Sequence, residues 1–275
     1  MPHPFFTTRR PLAFAHRGGS ALAPENTLAA FDRGLALGAD GLELDVHLSR
    51  DGEVVVHHDA DLERTTNLRG PLVARTADEL ARADAGYWYR QAGNVAAPTD
   101  ASDVAPFPFR GHGHGVPTLA TVLRRYPDTR VIIELKVDSP ELARAVVAVV
   151  RRVDAVDRVC LGSFGTRVLR EVRVIDPAVA TSAARDEVRW ALYRSWCRWP
   201  VSRVAYRGYQ VPELAGRTRV VSRRFVIGAH AAGLSVQVWT VDTVADAERL
   251  LGWGVDALIS DRPDLIVPTV RRSAR

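Results

Sequence analysis

Short apolar runs ending in polar residues alternate along this chain with longer stretches of helical period. "LAFAHRG" (12–18) reads as a strand that closes on His16 and Arg17. In "PENTLAAFDRGLALG" (24–38), Leu28, Phe31 and Leu35 recur at helical spacing, and Pro24, Asn26 and Thr27 suit a helix start. "DGLELDVHLS" (40–49) is the next strand, and Asp51-Gly52 turns the chain into "GEVVVHHD" (52–59). From 60 to 115 the rhythm weakens: "TADELARADAG" is one short helix, followed by a Gly-, Pro- and Ala-rich run with several aromatics. It then resumes. "TLATVLRRYP", "SPELARAVVAVVRRVD", "GTRVLREVRVID", "DEVRWALYRSWCRW", "SRRFVIGAHAAG" and "TVADAERLLGWG" read as helices, the second with Ser139 as its cap. Between and after them, "TRVIIELK", "DRVCLGSF", "AVATSAA", "RGYQVPE", "LSVQVWTV" and "VDALISDRP" read as strands.

With the 52–59 excursion set aside, eight strands alternate with helices. At 275 residues this rhythm predicts a single (β/α)8 TIM barrel domain over 1–275. Because the rhythm resumes afterwards, 60–115 is an insertion rather than a linker, and long irregular runs of this kind commonly carry function. No Gly-x-Gly-x-x-Gly follows the first strand, so a dinucleotide fold is unsupported.

Composition narrows the class. The chain is 47% hydrophobic and 25% charged, as expected of a globular protein with a sizeable core. Its net charge of +5 favours anionic ligands, phosphate included, but the basic residues form no long run and no nucleic-acid signature is present. Cys160 and Cys197 are too few and too far apart for a disulfide framework and read as inert positions. No apolar run is long enough to span a bilayer, and the start lacks a signal-peptide pattern, so a cytoplasmic protein is expected. In "VRWALYRSWCRWP" (188–200), Val188, Leu192, Trp196 and Trp199 recur at helical spacing among arginines. That fits an outer helix packed on its neighbours, or one in weak contact with a membrane surface. Nothing in the pattern sets an oligomeric state.

In a barrel, reactive groups sit at the carboxyl ends of the strands. His16 and Arg17 end the first strand, Glu134 and Lys136 the third, and Trp239 stands near the end of the seventh. Glu43 and Asp45, two apart, share one face of the second strand, while Leu42, Leu44 and Val46 face the helices. Three convergent carboxylates (Glu43, Asp45, Glu134) without cysteine suit a hard divalent ion, Mg²⁺ or Ca²⁺. The competing reading is a salt-bridge cluster neutralised by Arg17 and Lys136. His16 and His58, at one barrel mouth, can give or take a proton near neutral pH, and Arg17 suits bidentate phosphate binding. Together these groups suit phosphodiester chemistry better than acyl transfer.

"AHRGGSALAPENTLAAFDRGLALGADGLELDVHLSRDGEVVVHHDADLERTTN" closely resembles the glycerophosphodiester phosphodiesterase family, and "VPTL", "IELK", "GSF", "VWTVD" and "DALISDRPDL" extend the resemblance over nearly the whole chain. Ser49 stands where threonine is usual, "VPTLATVL" lacks an acidic residue common after the leucine, and "PFPFRGHGHG" matches nothing in the family. The resemblance implies metal-dependent hydrolysis of glycerophosphodiesters to glycerol 3-phosphate and an alcohol, with 60–115 capping the barrel mouth. It implies that Glu43, Asp45 and Glu134 hold the ion, and that His16 and His58 are the acid/base pair, His16 taken as base and His58 as acid. It further implies that Arg17 and Lys136 contact phosphate, that Trp239 lies beside the substrate, and that Glu25, Asn26 and Asp59 support the site. His58 rather than His57 is the match because it directly precedes Asp59. His47 lies on the Glu43–Asp45 face, and His57 is expected to point away from His58.

Two other functions stay open. One is a phosphodiesterase of lysophospholipase-D type, which an apolar insertion contributing Tyr87, Trp88 and Tyr89 to the mouth would favour. The other is a non-catalytic barrel that binds a phosphate ligand. Within the insertion, Tyr87, Trp88 and Tyr89 either cap the substrate or pack the insertion. His112 and His114 belong either to a second metal site or to a flexible loop.

Overall fold

The first strand sets the pattern of the molecule: Leu12, Phe14 and His16 face one way, and Ala13 and Ala15 the other, with all but His16 buried. In the computed structural model, which describes residues 3–8, 11–90, 107–197, 199–200 and 204–273, the elements follow the expected alternation. They run β1 (Leu12–His16), α1 (Leu28–Ala36), β2 (Gly41–Leu48), β3 (Val54–Val56), α2 (Ala77–Ala81), α3 (Leu119–Arg125), β4 (Arg130–Leu135), α4 (Pro140–Arg152), β5 (Val159–Gly162) and α5 (Thr166–Ile175). The second part comprises β6 (Ala180–Thr181), α6 (Arg185–Cys197), β7 (Gly208–Pro212), a small hairpin of β8 (Leu214–Ala215) and β9 (Thr218–Arg219), α7 (Arg223–Ala231), β10 (Ser235–Trp239), α8 (Val244–Gly252), β11 (Ala257–Ser260) and α9 (Pro263–Ser273).

Parallel pairing follows the order β6-β5-β4-β2-β1-β11-β10-β7. A single parallel bridge, Ser182 to Gly208, joins the two ends, so the eight strands form a nearly closed TIM barrel. β3 doubles back antiparallel on β2, with Val46 opposite Val56. Inside the barrel, Phe14, Ile132, Cys160, Ala180, Ala257 and Ile259 form the apolar floor, and Phe5 from the N-terminal segment packs among them. Phe5 stacks on Phe14 and its carbonyl accepts from Arg130 Nε at 3.1 Å. Because Arg130 begins its strand, this plugs the amino end and leaves the carboxyl end open. The outward faces, such as Leu42, Leu44 and Val46, pack under the helices, which is why these strands read as nearly continuous apolar runs.

Several boundaries differ from expectation. α1 starts at Leu28, not near Pro24, because Asn26 has a left-handed φ of 59° and Thr27 caps Ala30 N. α2 stops after five residues, at Ala81. The sequence reading missed the β8–β9 hairpin and α9, whose internal Pro268 obscured its period. Residues 91–106 of the 60–115 segment lie outside the described residues. Of the rest, Leu62, Leu72, Leu80 and Ala85 build a small apolar cluster with Val116 against Val55 of β3. Arg110 lies over the rings of Tyr87 (4.1 Å) and Phe107 (3.8 Å), and Tyr89 packs on Phe109, so these aromatics hold the segment together. His112 stacks on His114 with ring centroids 6.3 Å apart.

Gly18 fixes how the loop after β1 meets α1. Its φ is +88°, and a Cβ there would lie 2.6 Å from Ala30 C and 2.8 Å from Phe31 N. Gly18→Ala is therefore expected to destabilise by about 2–4 kcal/mol, combining left-handed strain with overpacking. Chemical denaturation checks this; an unchanged midpoint would mean that the loop relaxes without strain.

Candidate active site

The alternation of the strands places an acidic layer at the open end. β1 and β2 pair with His16 opposite Glu43, and β2 and β4 pair with Asp45 opposite Glu134. Inward-facing positions two apart on β2 thereby meet the ends of both neighbours. One oxygen each from Glu43, Asp45 and Glu134 lies within 4.8 Å of the other two. Burial pushes Glu43 up to about 8, with Asp45 and Glu134 adding repulsion against the opposing charges of His16 and Arg17. Glu134 is raised as well, by burial and by Asp45, against Lys136. Asp45 is fully buried, and among the described residues its Oδ1 accepts no hydrogen bond, while Asn26 Nδ2 donates to Oδ2 at 2.9 Å. A buried carboxylate oxygen without a donor, beside two carboxylates whose charge is disfavoured, fits a divalent ion held by oxygen ligands.

Two cations share the layer. Arg17 Nε is 3.2 Å from Asp45 Oδ2, and Lys136 Nζ is 3.4 Å from Asp45 Oδ1 and 3.2 Å from Glu134 Oε1. The salt-bridge and metal readings are thus not exclusive, since the carboxylates that meet Arg17 and Lys136 also lie within reach of a single ion. Arg17 has φ 51°. Its amide donates to Glu43 at 3.2 Å and its Nη1 to Glu25 at 3.0 Å, contacts that hold it in a sparsely populated conformation.

Each histidine is backed by a carboxylate. His16 Nδ1 lies 2.6 Å from Asp261 Oδ1, and its Nε2 lies 3.7 Å from Glu43. Burial lowers the His16 pKa, but Glu43 and Asp261 outweigh it and raise the group to about 9. His58 Nδ1 lies 2.6 Å from Asp59 Oδ1. Arg64 ties the second support together, pairing with Asp59 through Nε and with both Glu25 oxygens at 2.7 Å. Against burial, Arg64 and Arg17 pull Glu25 down to about 2. His47 Nε2 lies 3.0 Å from the His58 carbonyl and so braces that loop. His57 turns to the Asp61 carbonyl at 3.4 Å, away from the cavity.

His16, Arg17, Glu43, His58, Glu134, Lys136 and Trp239 line one cavity of about 1200 Å³. The sequence reading missed Asp261, Arg64, Phe164 and the cavity-facing side of α6. Asp261 stands one residue past the end of β11, the same strand-end position that marked the others. Arg64 lies in the quoted "ERTTN". Of the periodic set in 188–200, the packing expectation holds for Val188 and Leu192 only. Leu192 and Ala191 pack inward as an outer helix would, yet Trp190, Tyr193 and Trp196 are exposed and line the cavity. Tyr87, Trp88 and Tyr89 do not line it among the described residues.

A barrel that gathers a carboxylate-backed histidine pair, two side-chain cations and a three-carboxylate cluster at its open end suits phosphoric diester hydrolysis. Residues 16–265 match the glycerophosphoryl diester phosphodiesterase family, and the chain belongs to it. It is 30% identical over 95% of its length to a glycerophosphodiester phosphodiesterase of Caldanaerobacter subterraneus, covering 98% of that protein. The fold is similar to that of a glycerophosphodiester phosphodiesterase from Agrobacterium tumefaciens, with TM-score 0.73, 28% identity and coverage of 94% and 99% of the two chains. It is also similar to an Oleispira antarctica phosphodiesterase solved with its product sn-glycerol-3-phosphate, with TM-score 0.72, 27% identity and coverage of 95% and 97%. Among the described residues, no helix is long and apolar enough to cross a membrane.

Proposed function

We propose that in this phosphodiesterase, which cleaves glycerophosphodiesters to glycerol 3-phosphate and an alcohol, His16 and His58 are the proton-transfer pair. His16 in its neutral form, which grows as pH rises toward the value of about 9 that Glu43 and Asp261 impose, removes the proton of the nucleophile, either water or the glycerol 2-hydroxyl. As the new P–O bond forms and the bond to the alcohol breaks, His58 protonates the departing alkoxide. Where the 2-hydroxyl attacks, water opens the resulting cyclic phosphate in a second step, with the two histidines exchanging roles. Arg17 and Lys136 hold the phosphate, and Trp239 packs on the substrate. Asp261 and Asp59 orient their histidines, while Arg64, Glu25 and Asn26 keep Arg17, Asp45 and Asp59 in place. Glu43, Asp45 and Glu134 would hold a divalent ion, Mg²⁺ or Ca²⁺, which when bound supplies Lewis-acid stabilisation of charge on the phosphate oxygens.

The observation that carries this reading is the convergence of two carboxylate-backed histidines on one cavity with Arg17, Lys136, Glu43 and Glu134, with Asp45 clustered behind them. A non-catalytic phosphate-binding barrel is disfavoured because none of the set is missing. We take the chain as one catalytic barrel domain, to whose mouth the described part of 60–115 contributes Arg64, and a cytoplasmic location as part of the same proposal.

The test is a coupled glycerol 3-phosphate assay on diesters carrying choline, ethanolamine and glycerol, with acylated counterparts alongside. Release from none of them would overturn the reading. Asp261→Asn is expected to lower kcat about a hundredfold with KM within a factor of two, since an amide favours the wrong imidazole tautomer. Unchanged kcat would remove Asp261 from its orienting role.

A further inference from the structure

The cavity is larger than the chemistry of its floor requires. At about 1200 Å³ it exceeds the range of about 300–1,000 Å³ that suits drug-sized ligands, whereas a glycerophosphodiester of a small alcohol is a compact molecule. The surplus lies toward α6 and the β8–β9 hairpin, where Val188, Trp190, Leu192, Tyr193, Trp196 and Leu214 face the cavity. Trp190 is 52% exposed and Trp196 58%, so large aromatic surfaces stand open beside an otherwise ionic site. Trp190 and Tyr193 stack with centroids 5.5 Å apart. The apolar wall is joined to the reaction centre. Trp239 meets Phe164 edge-on at 6.0 Å, and Arg185, the first residue of α6, lies over the Phe164 ring at 4.8 Å. The ionic groups on the α6 side include Asp186 and Arg189, which pair with each other at 3.6 Å.

We propose that this wall is a subsite for a single long aliphatic chain, and that the substrate class is glycerophosphodiesters bearing one acyl or alkyl chain. The proposal rests on the phosphodiesterase reading above and deepens it. A compact diester would fill the ionic floor and leave Trp190, Tyr193 and Trp196 in water. A chain of twelve or so carbons leaving the glycerol would cover them. Each methylene so withdrawn from water favours binding by about fourfold. The bonds made and broken at phosphorus are unchanged; the acyl ester is untouched, and the products are the acylated glycerol 3-phosphate and the alcohol. The apolar lining comes from α6, not from the aromatic cluster of Tyr87, Trp88 and Phe107, which is engaged with Arg110.

The test pairs each deacylated diester with its 1-dodecanoyl counterpart, below the critical micelle concentration, with choline, ethanolamine or glycerol as the alcohol. Both products are quantified by mass spectrometry. The wild-type chain is expected to show kcat/KM at least thirtyfold higher for an acylated member. The double variant Trp190→Ala, Trp196→Ala should lose at least tenfold on that member and stay within twofold on its deacylated partner. Replacing both by Phe should restore most of the preference. Equal kcat/KM for both members overturns the subsite and leaves the phosphodiesterase reading intact, as does a preference that the alanine variant retains. Hydrolysis of no member overturns the phosphodiesterase reading and the subsite with it. Co-sedimentation with phosphatidylcholine–phosphatidylglycerol vesicles is measured in parallel. Vesicle binding lost in the alanine variant, without discrimination between monomeric substrates, would assign the wall to a bilayer surface and also overturn the subsite.

Discussion

His58→Ala is expected to lower kcat for a glycerophosphodiester by about 10³–10⁴-fold, within and near the upper end of what a positioned proton donor contributes. The expectation rests on its place: His58 lines the cavity, its Nδ1 is engaged by Asp59 at 2.6 Å, and its other ring nitrogen is left for substrate. Its carbonyl meets His47 and its neighbour Asp59 is tied to Arg64, so truncating the imidazole leaves the loop's anchors in place. The thermal midpoint should therefore move by no more than a few degrees. A diester with 4-nitrophenol as leaving group needs no proton donor, because that phenolate departs unaided. Against it His58→Ala should recover most of its loss, whereas His16→Ala should stay impaired, since the nucleophile still needs a base. Recovery in His16→Ala instead would exchange the two roles. Near-normal turnover of His58→Ala on the natural diester would remove His58 from the chemistry.

Much of the site was legible because strand geometry is strict. Residues two apart on a strand share a face, so Glu43 and Asp45 had to be read together, and the barrel rule placed His16, Glu134 and Trp239 at one mouth. What escaped were interactions that the period does not encode. Asp261 lies 245 residues from His16 and meets it because β11 closes the barrel against β1. Asn26, which the family resemblance placed in support of the site, read by period alone as part of a helix start; its left-handed backbone aims its amide at Asp45. The amphipathic 188–200 segment announced apolar residues without saying what they faced. Helical spacing grouped Leu192 with Trp196, and both border the cavity, but Leu192 is buried against the core while Trp196 stands open to solvent. Pattern alone separates apolar from polar faces. It does not separate a face that meets a neighbouring helix from one that borders a site.

Removal of divalent ions should have the largest effect of all. Dialysis against a chelator is expected to cut glycerol 3-phosphate release by at least about 10³-fold, restored by adding back Mg²⁺ or Ca²⁺. The reason lies in the carboxylate cluster itself. Glu43, Asp45 and Glu134 are held together at the open end of the barrel, and the two whose charge is disfavoured are raised chiefly by burial. Arg17 and Lys136 offset part of this, yet Arg17 is also committed to Glu25, and among the described residues Asp45 Oδ1 accepts no hydrogen bond, with Lys136 Nζ an ion-pair neighbour at 3.4 Å. A cation bound there should stabilise the fold apart from any effect on turnover. At a hundredfold excess over Kd the gain is about 2.7 kcal/mol, which for a chain of this size raises the thermal midpoint by roughly 4–8 °C. Asp45→Asn keeps the shape but removes the central charge, so it should abolish both the midpoint shift and the restoration of activity. The midpoint measurement separates an ion held by these carboxylates from one that arrives only with the substrate. Activity indifferent to chelator, together with a midpoint indifferent to added ion, would return the cluster to a salt-bridge network built around Arg17 and Lys136.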